Sequence, residues 1–164
     1  MLSIQKCPVP AGTMLEKYLS IGGAYIDAYT TDIHRHVTFP EFVFAFYTTP
    51  LFKLERIILT TMSLPSTDTQ ALGLADGATE KFAAWTVESR SRTELVMCDV
   101  VQRTRSWLMV NHADTITHLY FGSAVVPKTG NDSLEFGYRA FMGFHQLYSI
   151  LLLYSAKAKL RRGR

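Results

Sequence analysis

Apolar and polar residues alternate most regularly over residues 82–126. Four stretches, 82–89, 94–101, 104–111 and 115–126, keep the two-residue period of a strand, the first opening at Phe82 and the last closing at Val126. The links between them are short: residues 90–93, Gln102-Arg103 and His112-Ala113. Links of that length join antiparallel neighbours, so the region is predicted to be a meander. Gly122 is the expected bend in its long fourth strand. Upstream, Gly22-Gly23 precedes a further strand over residues 24–31, from Ala24 to Thr31, with aromatic residues at alternate positions.

Between this strand and the meander the period changes. Thr38, Pro40 and Glu41 form a helix start, with a capping side chain, a proline inside the first turn and a carboxylate three residues on. A helix over residues 40–48 follows, then Thr49-Pro50, then a second helix over 51–62 with Leu51, Leu54, Ile57, Ile58 and Met62 on one face. Residues 63–79 are turn-rich, with Ser66 or Thr67 placed to cap a short helix through Leu72. Residues 138–160 read as one long, unusually apolar helix. Its stripe of Phe141, Phe144, Tyr148, Leu151 and Leu152, with apolar residues elsewhere on the circumference, predicts broad burial. Residues 1–20 are weakly patterned, broken by Pro8, Pro10 and Gly12, with a short helix expected over 13–20.

The hairpin turns decide which residues share a face. With 102–103 and 112–113 as central turn residues, Val96, Cys98, Val100, Arg105, Trp107, Met109, Ile116, His118 and Tyr120 lie together, and Trp85 and Val87 join them. Leu95, Met97, Asp99, Ser106, Leu108, Val110, Thr117, Leu119 and Phe121 lie on the other face. The first face has the larger aromatics and is expected to be the interior. Arg105 and Tyr120 would then be cross-strand neighbours, as would Trp107 and His118. A buried arginine needs a partner, and Asp27 is the candidate. Arg105 is then either half of a structural ion pair or a polar anchor for a ligand. His118 is either a satisfied core histidine or an acid–base group.

Composition narrows the function. Ten Phe, eight Tyr and two Trp in 164 residues suit a core or a ligand pocket in a single domain. The net charge of +3 comes from the end of the chain, where Lys157, Lys159, Arg161, Arg162 and Arg164 form a basic tail over 157–164. Without those five, 12 basic side chains face 14 acidic ones, so no nucleic-acid surface is expected. The tail is expected to be a frayed, solvated terminus, with weak membrane-surface contact as the alternative. Cys7 and Cys98 give neither a disulfide framework nor a zinc spacing. His34 and His36, with Glu41, resemble half a metal site but are read as a surface turn, so neither metal nor cofactor is expected. The apolar run over 140–156 is interrupted by His145, Gln146 and Ser149 and falls short of the ~20 residues of a membrane span. The first 12 residues lack a long apolar run, which points to a cytoplasmic protein.

The element order and the segment Phe141-Met142-Gly143-Phe144-His145-Gln146-Leu147-Tyr148 resemble the START-like or helix-grip superfamily. That group includes polyketide cyclase/dehydrase-like proteins, plant pathogenesis-related allergens and lipid-transfer domains. The resemblance covers residues 24–160, after an N-terminal extension over 1–20. It implies an α+β fold in which a curved antiparallel sheet wraps a long C-terminal helix around an apolar cavity. A cone-shaped α+β fold, with helices first and the curved sheet last, would put a strand where the final helix is read. The function expected is binding of a small hydrophobic molecule, of lipid, polyketide or aromatic type. Arg105, Tyr120, Trp107, Trp85, Met109, Phe144 and Tyr148 are its candidate ligand-binding residues. A cyclase- or dehydratase-like enzyme using His118 or Asp27 with Arg105 is the alternative. A non-catalytic interaction or membrane-surface module, with a homodimer as a partner state, is the second.

Overall fold

The computed structural model describes residues 4–127 and 135–163, with side chains in the last helix from residue 145 onward. Seven strands form one open antiparallel sheet: β1 (Gln5–Lys6), β2 (Tyr25–Ile33), β3 (Lys81–Phe82), β4 (Trp85–Arg90), β5 (Glu94–Asp99), β6 (Thr104–Ala113) and β7 (Ile116–Val125). Their spatial order is β1-β2-β7-β6-β5-β4-β3. Three helices, α1 (Phe39–Tyr47), α2 (Pro50–Thr61) and α3 (Asp68–Ala75), connect β2 to β3, and α4 (Glu135–Arg162) ends the chain. The sequence pattern shows five of the strands. The two-residue strands β1 and β3 are too short to display a period.

The helix starts form as their chemistry predicts. Thr38 Oγ1 accepts from the Glu41 amide at 3.3 Å, and Glu41 Oε2 accepts from the Thr38 amide at 2.7 Å. Thr49 caps α2 through the Phe52 amide at 3.1 Å. Thr67, rather than Ser66, caps α3, which runs three residues past Leu72. On α2 the apolar stripe read from the sequence faces outward: Leu54, Ile57, Ile58 and Met62 are each more than half exposed. The helix buries its other side, around Phe52 and Arg56. Arg56 is neutralised there by Asp68 Oδ1 at 2.6 Å and lies over the Phe82 ring.

The expected interior face is corrected. The helices cover Tyr29, Leu95, Met97, Leu108, Val110, Leu119 and Phe121, and the face carrying Trp107 lies on the opposite side of the sheet. The part of that outer face around Trp107 is also dry, because residues 7–21 close over it. Leu15, Val96 and Trp107 are fully buried together, beside Tyr18, Ala28 and Met109. Aromatic size did not mark the interior because both faces are buried.

Two register features explain the remaining differences. The turns fall at Val101-Gln102 and Asp114-Thr115, with Gln102 and Asp114 at φ of 58° and 52°. The shifts from the expected positions are even, so the sets of residues sharing a face survive, but the cross-strand neighbours change. Arg105 pairs with Ala124 and Trp107 with Gly122. Gly122 is required there: a Cβ would stand 2.8 Å from the Asp27 carbonyl oxygen and 2.6 Å from Leu15. In β4, a bulge between Val87 and Ser89 adds one residue against β5. That single residue turns Trp85 and Val87 to the helix side, opposite the face expected for them.

α4 packs on β2 and β7 and against α1 and α2. Among its described side chains, Ser149, Leu152, Leu153, Ala156 and Leu160 are buried while Leu147, Leu151 and Tyr154 are exposed, so burial from residue 145 onward is one-sided. The basic tail is not frayed among the described residues. The helix continues to Arg162, Lys157 Nζ donates to Thr31 Oγ1 at 2.9 Å, and Lys159 Nζ donates to the Thr48 carbonyl at 3.0 Å. No helix among the described residues is long and apolar enough to cross a membrane.

Candidate functional site

A cavity of about 370 Å3 lies between the helix side of the sheet, α2 and the part of α4 near His145. This is within the range of small-molecule pockets, at its lower end. Phe46, Phe52, Phe121, Leu59 and Leu152 supply much of its apolar wall. The aromatic part is rigid: the Phe46 and Phe121 ring centroids are 4.9 Å apart, and Tyr47 packs edge-on against Phe46 and Phe52.

Beside Asp99, Thr104, Ser106 and Ser149, three polar features interrupt that wall. The first is a hydrogen-bonded chain that links the sheet to α4. Asp27 on β2 and Ser123 on β7 are register partners, so their side chains emerge side by side. Ser123 Oγ donates to Asp27 Oδ1 at 2.5 Å and lies 2.6 Å from His145 Nε2. Asp27 is 2% and Ser123 1% exposed. Two tyrosines support the carboxylate from its other side, Tyr29 at 3.3 Å and Tyr25 at 3.4 Å from Oδ2. Burial pushes the His145 imidazole below the usual histidine range, against the upward pull of Asp27.

The second is a pair across the gap between α2 and α4, in which the Tyr148 hydroxyl donates to Glu55 Oε2. Burial raises the Glu55 carboxyl, and the Tyr148 hydrogen bond pulls the other way. Burial and the adjacent carboxylate push the Tyr148 phenol up. The third is Trp85. Its indole Nε1 is shielded from solvent and has no hydrogen-bond partner in the structure, although the residue lines the cavity. An indole N–H can only donate, so it is an unmet demand for an acceptor.

The sequence-predicted residues divide between the two sides. Trp85 and Tyr148 line the cavity, and Asp27 stands directly behind Ser123. Arg105 contributes to the rim, but its guanidinium lies on the outer face. There Nε donates to Glu88 Oε2 at 2.9 Å, and the group stacks over Tyr18. The expected Arg105–Asp27 pair does not form. Trp107, Met109 and Tyr120 belong to the outer cluster. His118 also sits on the outer side, with Nδ1 2.6 Å from Asp32 Oδ1. The Phe144 side chain lies outside the described residues. Sequence reasoning missed Ser123, His145 and Glu55 as site residues. His145 interrupts an apolar run, which is a signal, whereas a serine in a strand and a glutamate on an amphipathic helix carry none.

A wider groove of about 870 Å3 follows the edge of β2 past His34, His118, Lys157 and Arg161. Two of its polar pairs are already engaged, His118 with Asp32 and Lys157 with Thr31. No group of three or more metal-ligating side chains occurs among the described residues.

The class this defines is an α+β protein with an open seven-stranded antiparallel sheet and a C-terminal helix, consistent with a helix-grip-like arrangement. No protein-family model matches the chain, and no curated protein matches it. A conserved protein of unknown function from Enterococcus faecalis is similar in structure, at 8% identity and a TM-score of 0.37. The match covers 87% of this chain and 82% of that one, and the likeness is too low to carry an argument. Membership of the START-like superfamily is not established by these comparisons.

Proposed function

We propose that the protein binds a small hydrophobic molecule with hydrogen-bonding groups in the cavity between sheet and α4, in the manner of a START-like domain. The observation that carries this reading is the cavity of about 370 Å3 itself, walled largely by Phe46, Phe52, Phe121, Leu59 and Leu152 with a few polar groups set into it. The cavity size favours a compact ring system or short chain over a full-length lipid. Two free cysteines, Cys7 and Cys98, agree with cytoplasmic residence. Of the alternative that joins His118 or Asp27 to Arg105, the Asp27 arm is divided by the sheet, while His118 shares the outer face with Arg105 but lies far along it, opposite Asn111 where Arg105 is opposite Ala124.

Native mass spectrometry of the purified protein, followed by organic extraction, tests the proposal. A bound apolar compound of low mass is expected, together with quenching of tryptophan emission when naphthol-type probes are added. Leu59→Trp, which fills the cavity from α2, should abolish probe binding while leaving the thermal midpoint within a few degrees. Equal probe affinity in wild type and Leu59→Trp would show that the probe binds elsewhere.

A further inference from the structure

We propose that the molecule held in the cavity is a small organic cation, an amine on an apolar body, and that the Glu55 carboxylate on α2 is the group that meets its ammonium. This rests on the reading that the cavity takes a small apolar molecule, and deepens it by naming the ligand's charge and its anchor.

Glu55 lines the cavity as a carboxylate without a counter-charge. A carboxylate has two oxygens and about four places at which to accept a hydrogen bond. Glu55 is given one donor, the Tyr148 phenol at Oε2, and Oε1 accepts from no described residue. A phenol carries no charge to neutralise it. Burial raises the Glu55 carboxyl, and the only pull against burial is that one hydrogen bond. Glu88 on the outer face is the contrasting case. With Lys17 and Arg105 both within ion-pair distance, its burial is outweighed and its carboxyl is held down.

The cations near Glu55 are committed elsewhere. Lys53 and Arg56 flank it on α2, and both turn to Asp68, Lys53 Nζ at 2.7 Å and Arg56 Nη1 at 2.6 Å. Arg105 reaches the rim of the cavity, but its guanidinium is held on the outer face by Glu88 at 2.9 Å. Lys159 of α4 donates to the Thr48 carbonyl at 3.0 Å and lies over the Phe44 ring. Burial keeps His145 below the usual histidine range, so at neutral pH it adds no positive charge that would repel an amine. The wall's other acidic residue, Asp99, is taken up by its own turn, where Oδ1 accepts from the Arg103 and Thr104 amides at 2.8 and 3.2 Å.

The rest of the wall suits the same ligand. Phe46, Phe52, Trp85, Phe121 and Tyr148 line the space that Glu55 faces. The face of an aromatic ring attracts an ammonium, and the attraction grows as water is excluded. The three charge states of a ligand therefore fare differently. An anion meets Glu55 as a like charge. A neutral molecule shuts the carboxylate further from water and compensates nothing. An amine donates a charge-assisted hydrogen bond to Glu55 and lays its apolar body against the rings.

Three naphthalene probes of similar shape test this by fluorescence titration: naphthylmethylamine, which is a cation at neutral pH, neutral naphthylmethanol, and anionic naphthoate. Wild type should bind the amine about tenfold tighter than the alcohol, with naphthoate the weakest. Glu55→Gln keeps the shape of the side chain and an oxygen for the Tyr148 hydroxyl. It should cost the amine about tenfold and leave the alcohol within about twofold. Leu59→Trp should remove the binding of both. Equal affinity for amine and alcohol in wild type, or tighter binding of naphthoate, would overturn the proposal and leave the ligand-binding reading standing. An amine preference that survives Glu55→Gln would also overturn it. Failure of all three probes to bind would overturn both readings. Should Glu55→Gln fail to fold, carbon-13 titration of the Glu55 carboxyl in the wild-type protein decides the matter. Its midpoint should move down when naphthylmethylamine is bound and not when naphthylmethanol is, because a bound cation favours the ionised form. A midpoint unmoved by the amine would overturn the assignment.

Discussion

The two faces of the sheet each carry a tryptophan and a carboxylate and treat those groups in opposite ways. The two tryptophans show this most directly. On the outer face, Trp107 Nε1 donates to Glu94 Oε2 at 2.8 Å, and the same oxygen accepts from the Met14 amide at 2.8 Å. On the helix face, Trp85 Nε1 has no partner. The carboxylates repeat the contrast. Glu88 on the outer side collects Lys17, Tyr18 and Arg105. Burial pushes its carboxyl up, but those three hydrogen bonds outweigh burial and hold it down at about 2. Glu55 on the helix side has one phenol for company and is pushed up by burial. The outer face is not free of unmet groups, since the buried Thr30 and Ser89 hydroxyls have no partner there, but its tryptophan and its Glu88 carboxylate are both engaged. The helix face leaves its tryptophan unmet and its carboxyl raised, and so gives up some stability at those two positions, as binding sites commonly do.

Three changes would break or sharpen that contrast. Trp107→Ala should have the largest effect, about 3–5 kcal/mol, because it empties the centre of the outer cluster and strands Glu94. For a chain of this length that is a loss of roughly 10 °C in the thermal midpoint by calorimetry. Loss of that size without loss of probe binding would separate the two faces; a loss of binding alone would merge them.

Glu88 comes next. Its folded-state carboxyl is depressed, so its contribution is complete above the ordinary glutamate value of 4.5 and disappears as pH falls from 4.5 to about 2. Because the group is partly exposed, the contribution is on the order of 1 kcal/mol. Urea melts of wild type and Glu88→Gln should differ at pH 6 and converge at the acid end of that window. A constant gap down to pH 2 would show that Glu88 acts through packing alone.

The smallest stability effect should come from Trp85→Phe, within about 0.5 kcal/mol, since no hydrogen bond in the free protein is lost. Its effect on ligand affinity should be at most about threefold in Kd, since the ring stays in the wall and the Nε1–H it removes has no accessible surface. If titration shows affinity unchanged and stability reduced by more than 2 kcal/mol, Trp85 is a core residue and not a ligand contact.

The sequence by itself determined the order and kind of the main elements. The capping box at Thr38, the proline starts, the meander's period and the long final run are local signals, set by backbone propensity and residues a few positions apart. It also determined which residues share a face on β5, β6 and β7, since even register errors leave parity intact. Tertiary structure alone decided which face meets the helices. That choice depended on residues 7–21 folding over Trp107, a long-range event with no periodic signature, and on one bulged residue in β4 that sent Trp85 to the other side. The meeting of Asp27, Ser123 and His145 lies beyond the sequence for the same reason. They come from β2, β7 and α4, and only strand register and helix docking bring them within 2.6 Å of one another in series.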